Sequence, residues 1–388
     1  MIYNRSLVEE IEKFIALCQS YDELYIYGAA ENQELLARYL HICGMDIKGF
    51  LVSVPDGKSM TPDMLDISQN KKIAVILGLS DRYYNEIFGS LLQHGIKKII
   101  FLPEYLKVHI ADKMRVRKPE DMVIEINLAD HCNLNCCGCD HFSQLAPPRL
   151  LGTDEFERDI KRLSELTDGK LGVLALMGGE PLLNKNASEF GKIARSFFPS
   201  VNINYFTNGL LLNRVDEQFW VSCRDNNCSI QLTQYPINID MKKIRKKALA
   251  YDVQLEVFYE AGDKLGSTRK STHKYVLDIS GNQKAYCFAG CFQMNRCIVL
   301  RHGKIFACPM SAYIEYFNQH FNQKLIIGTK DYVDIYKISS FEEIARFTST
   351  PVPFCRYCNV GMRALCPWKR SEKSIYEYIL KGERENEQ

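Results

Sequence analysis

The feature that most constrains this chain is a group of three cysteines, Cys132, Cys136 and Cys139, spaced C-x3-C-x2-C within NLADHCNLNCCGCDHFS. Three thiolates at this spacing can bind three irons of a 4Fe–4S cluster and leave the fourth iron without a protein ligand. An open iron can bind a substrate or cosubstrate, whereas a fully ligated cluster only transfers electrons. The preceding run DMVIEINLA alternates as a strand does, so the cysteines are predicted to follow a strand's C-terminal end, where reactive groups gather in parallel α/β proteins.

Three later strand-like runs also end in short motifs that suit ligand binding. LGVLALM, which follows a predicted helix over about 154–166, runs into GGE; VNINYF runs into TNG; and CSIQLTQY ends in polar residues. Glycine lets a backbone approach a ligand closely, and a carboxylate beside it suits an ammonium group. The candidate binding residues at these strand ends are Gly178, Gly179, Glu180, Thr207, Asn208, Gln231 and Thr233.

The succession of cysteine triplet, GGE, TNG and polar strand end resembles the radical S-adenosylmethionine (SAM) superfamily. The resemblance implies an α/β fold with an open (β/α)6 barrel over 120–280, whose triplet holds a 4Fe–4S cluster. It further implies that GGE binds the amino group of SAM. TNG would contact the ribose and carboxylate of SAM, and the last strand end would lie near adenosine or substrate. A zinc site completed by His131 or His141 is the alternative for the triplet, but it explains neither GGE nor TNG.

One position departs from the family pattern. The residue before the third cysteine is usually aromatic in the superfamily, and here it is Gly138. Any side-chain contact to adenine from that position is therefore absent. His141 or Phe142 is expected to compensate.

A cysteine-rich region follows at 285–370. CIVLRHGKIFAC predicts a hairpin that turns at Gly303 and brings Cys297 close to Cys308. Cys355 and Cys358 form a C-x2-C pair. The region resembles the auxiliary-cluster modules called SPASM, with two clusters, and twitch, with one. Its cysteines are too few for two clusters, so these four residues are expected to ligate one auxiliary 4Fe–4S cluster. Cys291 is a reserve ligand, and zinc is the alternative metal.

Strand-like and helix-like runs alternate over residues 1–115, which predicts a small parallel, Rossmann-like sheet. The turn YGAAENQ resembles a dinucleotide-binding turn. However, Ala30 and Gln33 stand where two of the glycines of G-x-G-x-x-G would be, so close approach of a pyrophosphate is not expected. A docking or structural role is the favoured interpretation, and a bound nucleotide sugar is the alternative. Residues 371–388 are interpreted as a C-terminal tail.

The composition predicts a cytoplasmic protein without nucleic-acid or membrane partners. The net charge is +2, so no broad electrostatic field favours a polyanion. No run approaches the roughly 18 apolar residues of a membrane span. The chain has 15 cysteines, and an oxygen-sensitive cluster requires them reduced, as they are in the cytosol.

The function implied by the resemblance is that of a radical SAM enzyme, an oxidoreductase that cleaves SAM reductively to a 5′-deoxyadenosyl radical. The radical would abstract a hydrogen atom from a polar small molecule, for example a sugar- or nucleotide-linked one. A flavodoxin- or ferredoxin-type donor would supply the electron, and the auxiliary cluster would accept one from the substrate. Hydrogen abstraction needs no protein acid or base, so no catalytic side chain is named.

Two other functions stay open. A peptide maturase would crosslink, oxidise or epimerise a ribosomally made precursor. The α/β region at the N-terminus and the small number of cysteines weigh against it, because such enzymes usually begin with a winged-helix-like segment and often hold two auxiliary clusters. A non-catalytic iron–sulfur or zinc scaffold is the third interpretation, and it leaves GGE and TNG unexplained.

Overall fold

The structure is a computed structural model that describes residues 5–67, 71–258 and 271–380. The chain divides into two compact units. The N-terminal unit comprises residues 5–115 together with Lys284–Cys291, and the core unit comprises the remaining described residues. The predicted domain boundaries at 115, 280 and 370 stay a prediction. Residues 381–388 of the predicted tail lie outside the described residues.

The N-terminal unit contains a four-stranded sheet in the order β2-β1-β3-β4, and every pairing in it is parallel. Apolar strand residues such as Val75 and Leu77 are fully buried, as expected for a sheet covered by helices. The parallel sheet predicted from the alternating runs is therefore present. The elements are α1 (Arg5–Gln19), β1 (Glu23–Tyr27), α2 (Glu31–Ile42), β2 (Gly49–Leu51), β3 (Ile73–Leu77), α3 (Tyr84–Gln93), β4 (Ile99–Phe101) and α4 (Glu104–Met114).

Gln33 fills the turn that follows β1. Its side chain is buried, its amide donates to the carbonyl of Gly78, and its Oε1 accepts from the Ala30 amide at 3.1 Å. A Cβ on Gly28 would lie 2.8 Å from Leu79 and 3.1 Å from Gln33. Because a protein side chain occupies the space above the turn, these contacts agree with the expectation that no pyrophosphate approaches it.

The core unit is built on an eight-stranded sheet in the order β13-β12-β11-β5-β6-β7-β8-β9. A separate antiparallel pair joins β10 to β14. The elements are β5 (Val123–Ala129), α5 (Thr153–Thr167), β6 (Val173–Gly178), α6 (Ala187–Phe197), β7 (Asn202–Thr207), α7 (Glu217–Asp225), β8 (Cys228–Thr233), α8 (Met241–Ala250), β9 (Leu255–Phe258), β10 (Ser271–Lys274), β11 (Cys297–Arg301), β12 (Lys304–Phe306), α9 (Pro309–Phe321), β13 (Tyr332–Asp334), α10 (Phe341–Thr348) and β14 (Ala364–Pro367).

Strands β5 to β9 are mutually parallel and follow one another in sequence order, each connected to the next by a helix. In the described part of the sheet the sixth parallel strand, β11, pairs with β5 on the side away from β6, and β12 and β13 lie beyond it. The predicted mixed α/β architecture with parallel strands is thus confirmed, whereas closure into a (β/α)6 barrel stays a prediction. The C-terminal ends of β5 to β9 lie along one edge of the sheet, which is where the candidate motifs begin.

Amphipathic helices cover the sheet. In α5, Phe156, Ile160 and Leu163 are spaced by three or four residues and are at most 1% exposed. They pack with strand residues such as Ile124 and Leu174 in one core. Each such side chain contributes roughly 1.5–3 kcal/mol by burial, so the strand ends are held on a rigid base. No helix within the described ranges is long and apolar enough to cross a membrane.

Candidate active site

A cavity of about 620 Å³ opens at the C-terminal edge of the core sheet. It brings together the cysteine triplet and most of the predicted binding residues. Glu180 and Gln231 are buried beside it, and the Gln231 amide donates to Glu256 at 2.9 Å. The sequence-predicted residues that line the cavity are Cys132, Cys136, Cys139, Gly178, Gly179, Thr207, Asn208, Thr233 and Cys297.

Gly178 and Gly179 allow the cysteine loop to pack directly against the end of β6. A Cβ on Gly178 would lie 2.2 Å from the carbonyl oxygen of Ala129. A Cβ on Gly179 would lie 2.2 Å from the carbonyl oxygen of His131 and 2.8 Å from the amide nitrogen of Cys132. The sequence pattern predicts that these glycines let the backbone approach a ligand closely. In the structure they also admit the backbone that carries the first cysteine.

Glu180 joins the GGE and TNG motifs through its carboxylate. Oε1 accepts from the Thr207 hydroxyl at 2.7 Å and from the Leu182 amide at 3.2 Å, and Oε2 accepts from the Asn208 amide at 2.9 Å. Burial raises the pKa of Glu180 to about 7, against the lowering effect of these three hydrogen bonds. Glu180 therefore organises two motifs, and its predicted contact with SAM stays a prediction.

Polar donors lie close to the sulfur of Cys132. The Leu134 amide donates to its Sγ at 3.3 Å. The Asn208 side-chain amide lies 3.7 Å from the same sulfur and donates to Asn133 Oδ1 at 2.8 Å. Asn208 thus connects the TNG turn to the cysteine loop.

A C-terminal segment, residues 368–378, packs along the cysteine loop. Trp368 Nε1 donates to Cys136 Sγ at 3.1 Å, and the Gly138 amide donates to Glu377 Oε2 at 3.3 Å. The hydroxyl of Tyr378 donates to the Cys139 carbonyl at 2.8 Å. Part of the predicted tail is therefore a structural element of the site. Its aromatic residues, in WKRSEKSIYEYI, were a signal of packing that the sequence analysis did not use.

Two residues, His141 and Phe142, are candidates to replace the missing aromatic residue. Their side chains lie in different environments. His141 lines the cavity and stacks on Tyr313 with ring centroids 5.2 Å apart. Phe142 is fully buried and packs on Phe317 and Tyr378. Only His141 is placed to face a ligand, so the expectation for Phe142 is wrong.

The triplet provides the donors that an iron–sulfur cluster requires. Burial raises the pKa of the Cys132 thiol to about 11, and burial also raises that of Cys139, with smaller effects from the other two cysteines. Within residues 5–67, 71–258 and 271–380, no three His, Cys, Asp or Glu side chains converge on one metal ion. Cys132, Cys136 and Cys139 all line the cavity, and three thiols are the ligands that a 4Fe–4S cluster with one open iron requires.

The cysteines of the predicted auxiliary site fall into two pairs. Val299 pairs with Phe306, so the same register places Cys297 opposite Cys308 across the hairpin of β11 and β12. Cys355 and Cys358 lie on a short helical turn, where Cys358 bridges to Leu277. The hairpin of β11 and β12 agrees with the predicted one, whereas the approach of Cys297 to Cys308 and the ligation of one cluster by both pairs stay predictions.

One wall of the cavity contains polar residues that the sequence analysis missed. Glu125 on β5 is 8% exposed, and burial together with Asp140 raises its pKa to about 8. Among the described residues its Oε2 has no hydrogen-bond partner, and it lies 3.6 Å from His141 Nε2. The sequence contains a signal for Glu125, because an acidic residue is rarely buried within a hydrophobic strand such as DMVIEINLA unless it has a partner.

Comparisons with known proteins found one relative by sequence and several solved structures. No family model matches the chain. A probable GTP 3′,8-cyclase of Pyrococcus abyssi (strain GE5 / Orsay) is 33% identical over 95 residues, which cover 24% of this chain and 29% of that protein. The chain thus spans less than a third of that relative's length.

Solved structures with a similar fold include BtrN in complex with AdoMet and 2-DOIA. It has a TM-score of 0.41 and 17% identity, and the alignment covers 68% of this chain and 100% of the other. Native anSMEcpe with bound AdoMet has a TM-score of 0.29 and 18% identity, covering 35% of this chain and 43% of the other. SuiB of Streptococcus suis bound to the precursor peptide SuiA has a TM-score of 0.30 and 12% identity, covering 47% and 46%.

The 33% identity to the cyclase agrees with the resemblance to the radical SAM superfamily that the order of the motifs predicts.

Proposed function

We propose that this chain is a radical SAM oxidoreductase that acts on a polar small molecule. When bound, the cluster and SAM supply a 5′-deoxyadenosyl radical that abstracts a hydrogen atom from the substrate. The observation that carries the proposal is the shared cavity, in which the thiols of Cys132, Cys136 and Cys139 meet the GGE and TNG motifs.

Each part of the chain has a defined task in this proposal. The three thiolates hold the cluster, and the Asn208 amide and the Trp368 indole lie within reach of two of their sulfurs. Such hydrogen bonds tune the potential of an iron–sulfur cluster. Glu180 holds the TNG turn against the GGE turn, so that both face the same ligand. The backbones of β5 and β6 pack closely, which holds these groups in the precise geometry that the reaction requires.

The size of the cavity favours a small molecule over a peptide. Its volume of about 620 Å³ lies within the range of roughly 300–1,000 Å³ that is usual for small-ligand pockets. SAM occupies part of that space in the proposal, which leaves room for a substrate of modest size. The peptide maturase is therefore the second candidate, and a precursor peptide would have to extend beyond the cavity.

Cleavage of SAM tests the proposal directly. The reconstituted protein, reduced by dithionite under anaerobic conditions, is expected to release 5′-deoxyadenosine from SAM. A Cys136→Ala variant should release none, and a Cys223→Ala variant, which changes a buried cysteine outside the cavity lining, should retain the activity. Absence of 5′-deoxyadenosine from the unaltered protein, once it carries a reducible cluster, would refute the proposed function.

Iron analysis tests the auxiliary cluster separately. A Cys132/Cys136/Cys139 triple alanine variant, reconstituted without oxygen, is expected to keep about four irons per chain if one further 4Fe–4S cluster is present. Further replacement of Cys308 should remove them. Zinc in place of iron in the triple variant would overturn the auxiliary cluster and leave the SAM site untouched.

A further inference from the structure

The cavity has a second polar end, away from the GGE motif. Glu125 pairs with Ala175 on β6, three residues before Gly178. At about 3.3 Å per strand residue, Glu125 lies about 10 Å along the sheet from the glycines. In the proposed function the ammonium group of SAM lies at those glycines, so Glu125 is left to face another ligand.

Glu125 is a buried carboxylate with one oxygen whose hydrogen-bonding capacity is not used. The Cys297 thiol is hydrogen-bonded to its side chain, but Oε2 is enclosed and has no hydrogen-bond partner among the described residues. The nearest ring nitrogen, His141 Nε2, is at 3.6 Å, beyond hydrogen-bonding distance. A buried polar atom without a partner costs free energy, and a carboxylate costs more than a neutral group. A ligand that donates to Glu125 would remove that cost.

Neighbouring residues of the same wall also offer unused acceptors. Ser143 Oγ and Gln144 Oε1 are buried and find no hydrogen-bond partner in the part of the chain that the structure describes, and both residues line the cavity. Asp140 lies on this wall too, where its Oδ2 accepts from Gln293 at 2.8 Å. The wall is therefore rich in hydrogen-bond acceptors and contains two acids.

Positive charge is scarce among the described residues of this wall. Among the described residues that line the cavity, none is Lys or Arg. The guanidinium of Arg363 lies over the rings of Phe292 and Tyr275, which face the cavity, and is not itself part of the lining. A phosphate or carboxylate group would meet no described cation at this wall and would face two acids.

We propose that the cavity binds its substrate through a cationic amino group held by the carboxylate of Glu125, with Ser143 and Gln144 accepting from the substrate's other donors. The inference rests on the proposed function, which it deepens by giving the substrate class: a small molecule that carries an amine and further polar groups. A charge-assisted hydrogen bond is the strongest contact that this wall can form, so Glu125 determines specificity for the amine over a hydroxyl group at the same position.

Matched pairs of probes test the substrate class. Binding to the anaerobically reconstituted protein with SAM present is measured by calorimetry for glucosamine and glucose, mannosamine and mannose, and 1,4-diaminobutane and 1,4-butanediol. Glucose 6-phosphate provides an anionic probe. In at least one pair the amine is expected to bind about tenfold or more tightly than its neutral partner, and the phosphate should bind no better than glucose.

The Glu125→Gln variant is expected to lose the preference for the amine. Gln keeps the shape and removes the charge, and a Glu157→Gln change on the exposed face of α5 is the matched control, which should retain the preference. Thermal unfolding verifies that both variants fold; if Glu125→Gln does not, the paired affinities of the unaltered protein decide. Equal affinities within every pair, tighter binding of a neutral or anionic probe, or an amine preference that survives Glu125→Gln would overturn the proposal.

The two proposals fail in different ways. Equal affinities for the amine and neutral probes in an unaltered protein that cleaves SAM would overturn the substrate class alone. An amine preference in a protein that cannot cleave SAM would keep the binding site and refute the radical chemistry.

Discussion

Replacing Gly179 with alanine should disrupt the cysteine loop while leaving the three cysteine side chains unchanged. The added Cβ would lie 2.2 Å from the His131 carbonyl oxygen, where real contacts of a Cβ essentially never fall below 3.0 Å. The two backbones must therefore separate by about 0.8 Å. The atoms involved are main-chain atoms next to Cys132, so no flexible side chain can absorb the strain.

The expected effect is large on activity and moderate on stability. Overpacking of this kind costs roughly 1–3 kcal/mol, which should appear as a lower melting temperature. A displacement near 1 Å at a reacting centre can reduce the rate by about 100-fold. We therefore expect Gly179→Ala to bind close to the normal amount of iron and to cleave SAM at about 1% of the normal rate.

The assay is the release of 5′-deoxyadenosine, measured beside iron content and thermal unfolding. Gly152→Ala is the matched control, because nothing lies within 4 Å of a Cβ built on Gly152 in the same unit. A Gly179→Ala protein with normal melting temperature and normal SAM cleavage would refute the packing argument.

Three further predictions concern charge, redox potential and helix stability. Burial raises the pKa of Glu180 from 4.5 to about 7, so folding favours its protonated form and stability falls as the pH rises through this range. Urea unfolding of the metal-free protein measures the free energy of unfolding that Glu180→Gln removes. This loss should be roughly 3 kcal/mol larger at pH 5 than at pH 8. Trp368→Phe removes the indole donor to Cys136 and should make the cluster's midpoint potential more negative in an EPR-monitored titration, since the reduced cluster is stabilised by that hydrogen bond. Gly89→Ala in α3, where a Cβ meets nothing within 4 Å, should raise the free energy of unfolding by about 0.5–1 kcal/mol.

Each of these predictions has a result that contradicts it. Equal destabilisation by Glu180→Gln at both pH values would show that Glu180 is not buried with a raised pKa. The exposed control, Glu157→Gln, is expected to show no difference between the two pH values. An unchanged potential in Trp368→Phe would mean that the indole does not reach a ligating sulfur. A loss of stability in Gly89→Ala would place a neighbour next to that helix face.

The local patterns of the chain were sufficient for the main features of the site. A three-cysteine spacing, a Gly-Gly pair and a polar turn each follow a strand-like run, and the C-terminal ends of parallel strands lie at one edge of a sheet. The convergence of Cys132, Gly179 and Asn208 on one cavity could therefore be predicted. The parallel sheet of the N-terminal unit followed in the same way from alternating apolar runs.

Contacts between distant parts of the chain could not be predicted in this way. Trp368 lies 232 residues from Cys136, and Tyr378 lies 239 residues from Cys139, yet both contact the cysteine loop. The pairing of β11 with β5 also joins residues that are far apart in the sequence, and it brings Cys297 to the cavity. Periodicity describes which face of an element is buried and does not specify what covers it.

The sequence by itself determined the chemistry that the chain can perform, because the identity and spacing of the thiols and the order of the motifs are properties of the linear chain. Only the tertiary structure decided the roles of individual side chains. It showed that Gly179 makes room for a backbone, that Glu180 joins two turns and that Glu125 faces the cavity with an unused oxygen. These roles depend on distances between atoms that folding brings together, and no local pattern encodes such distances.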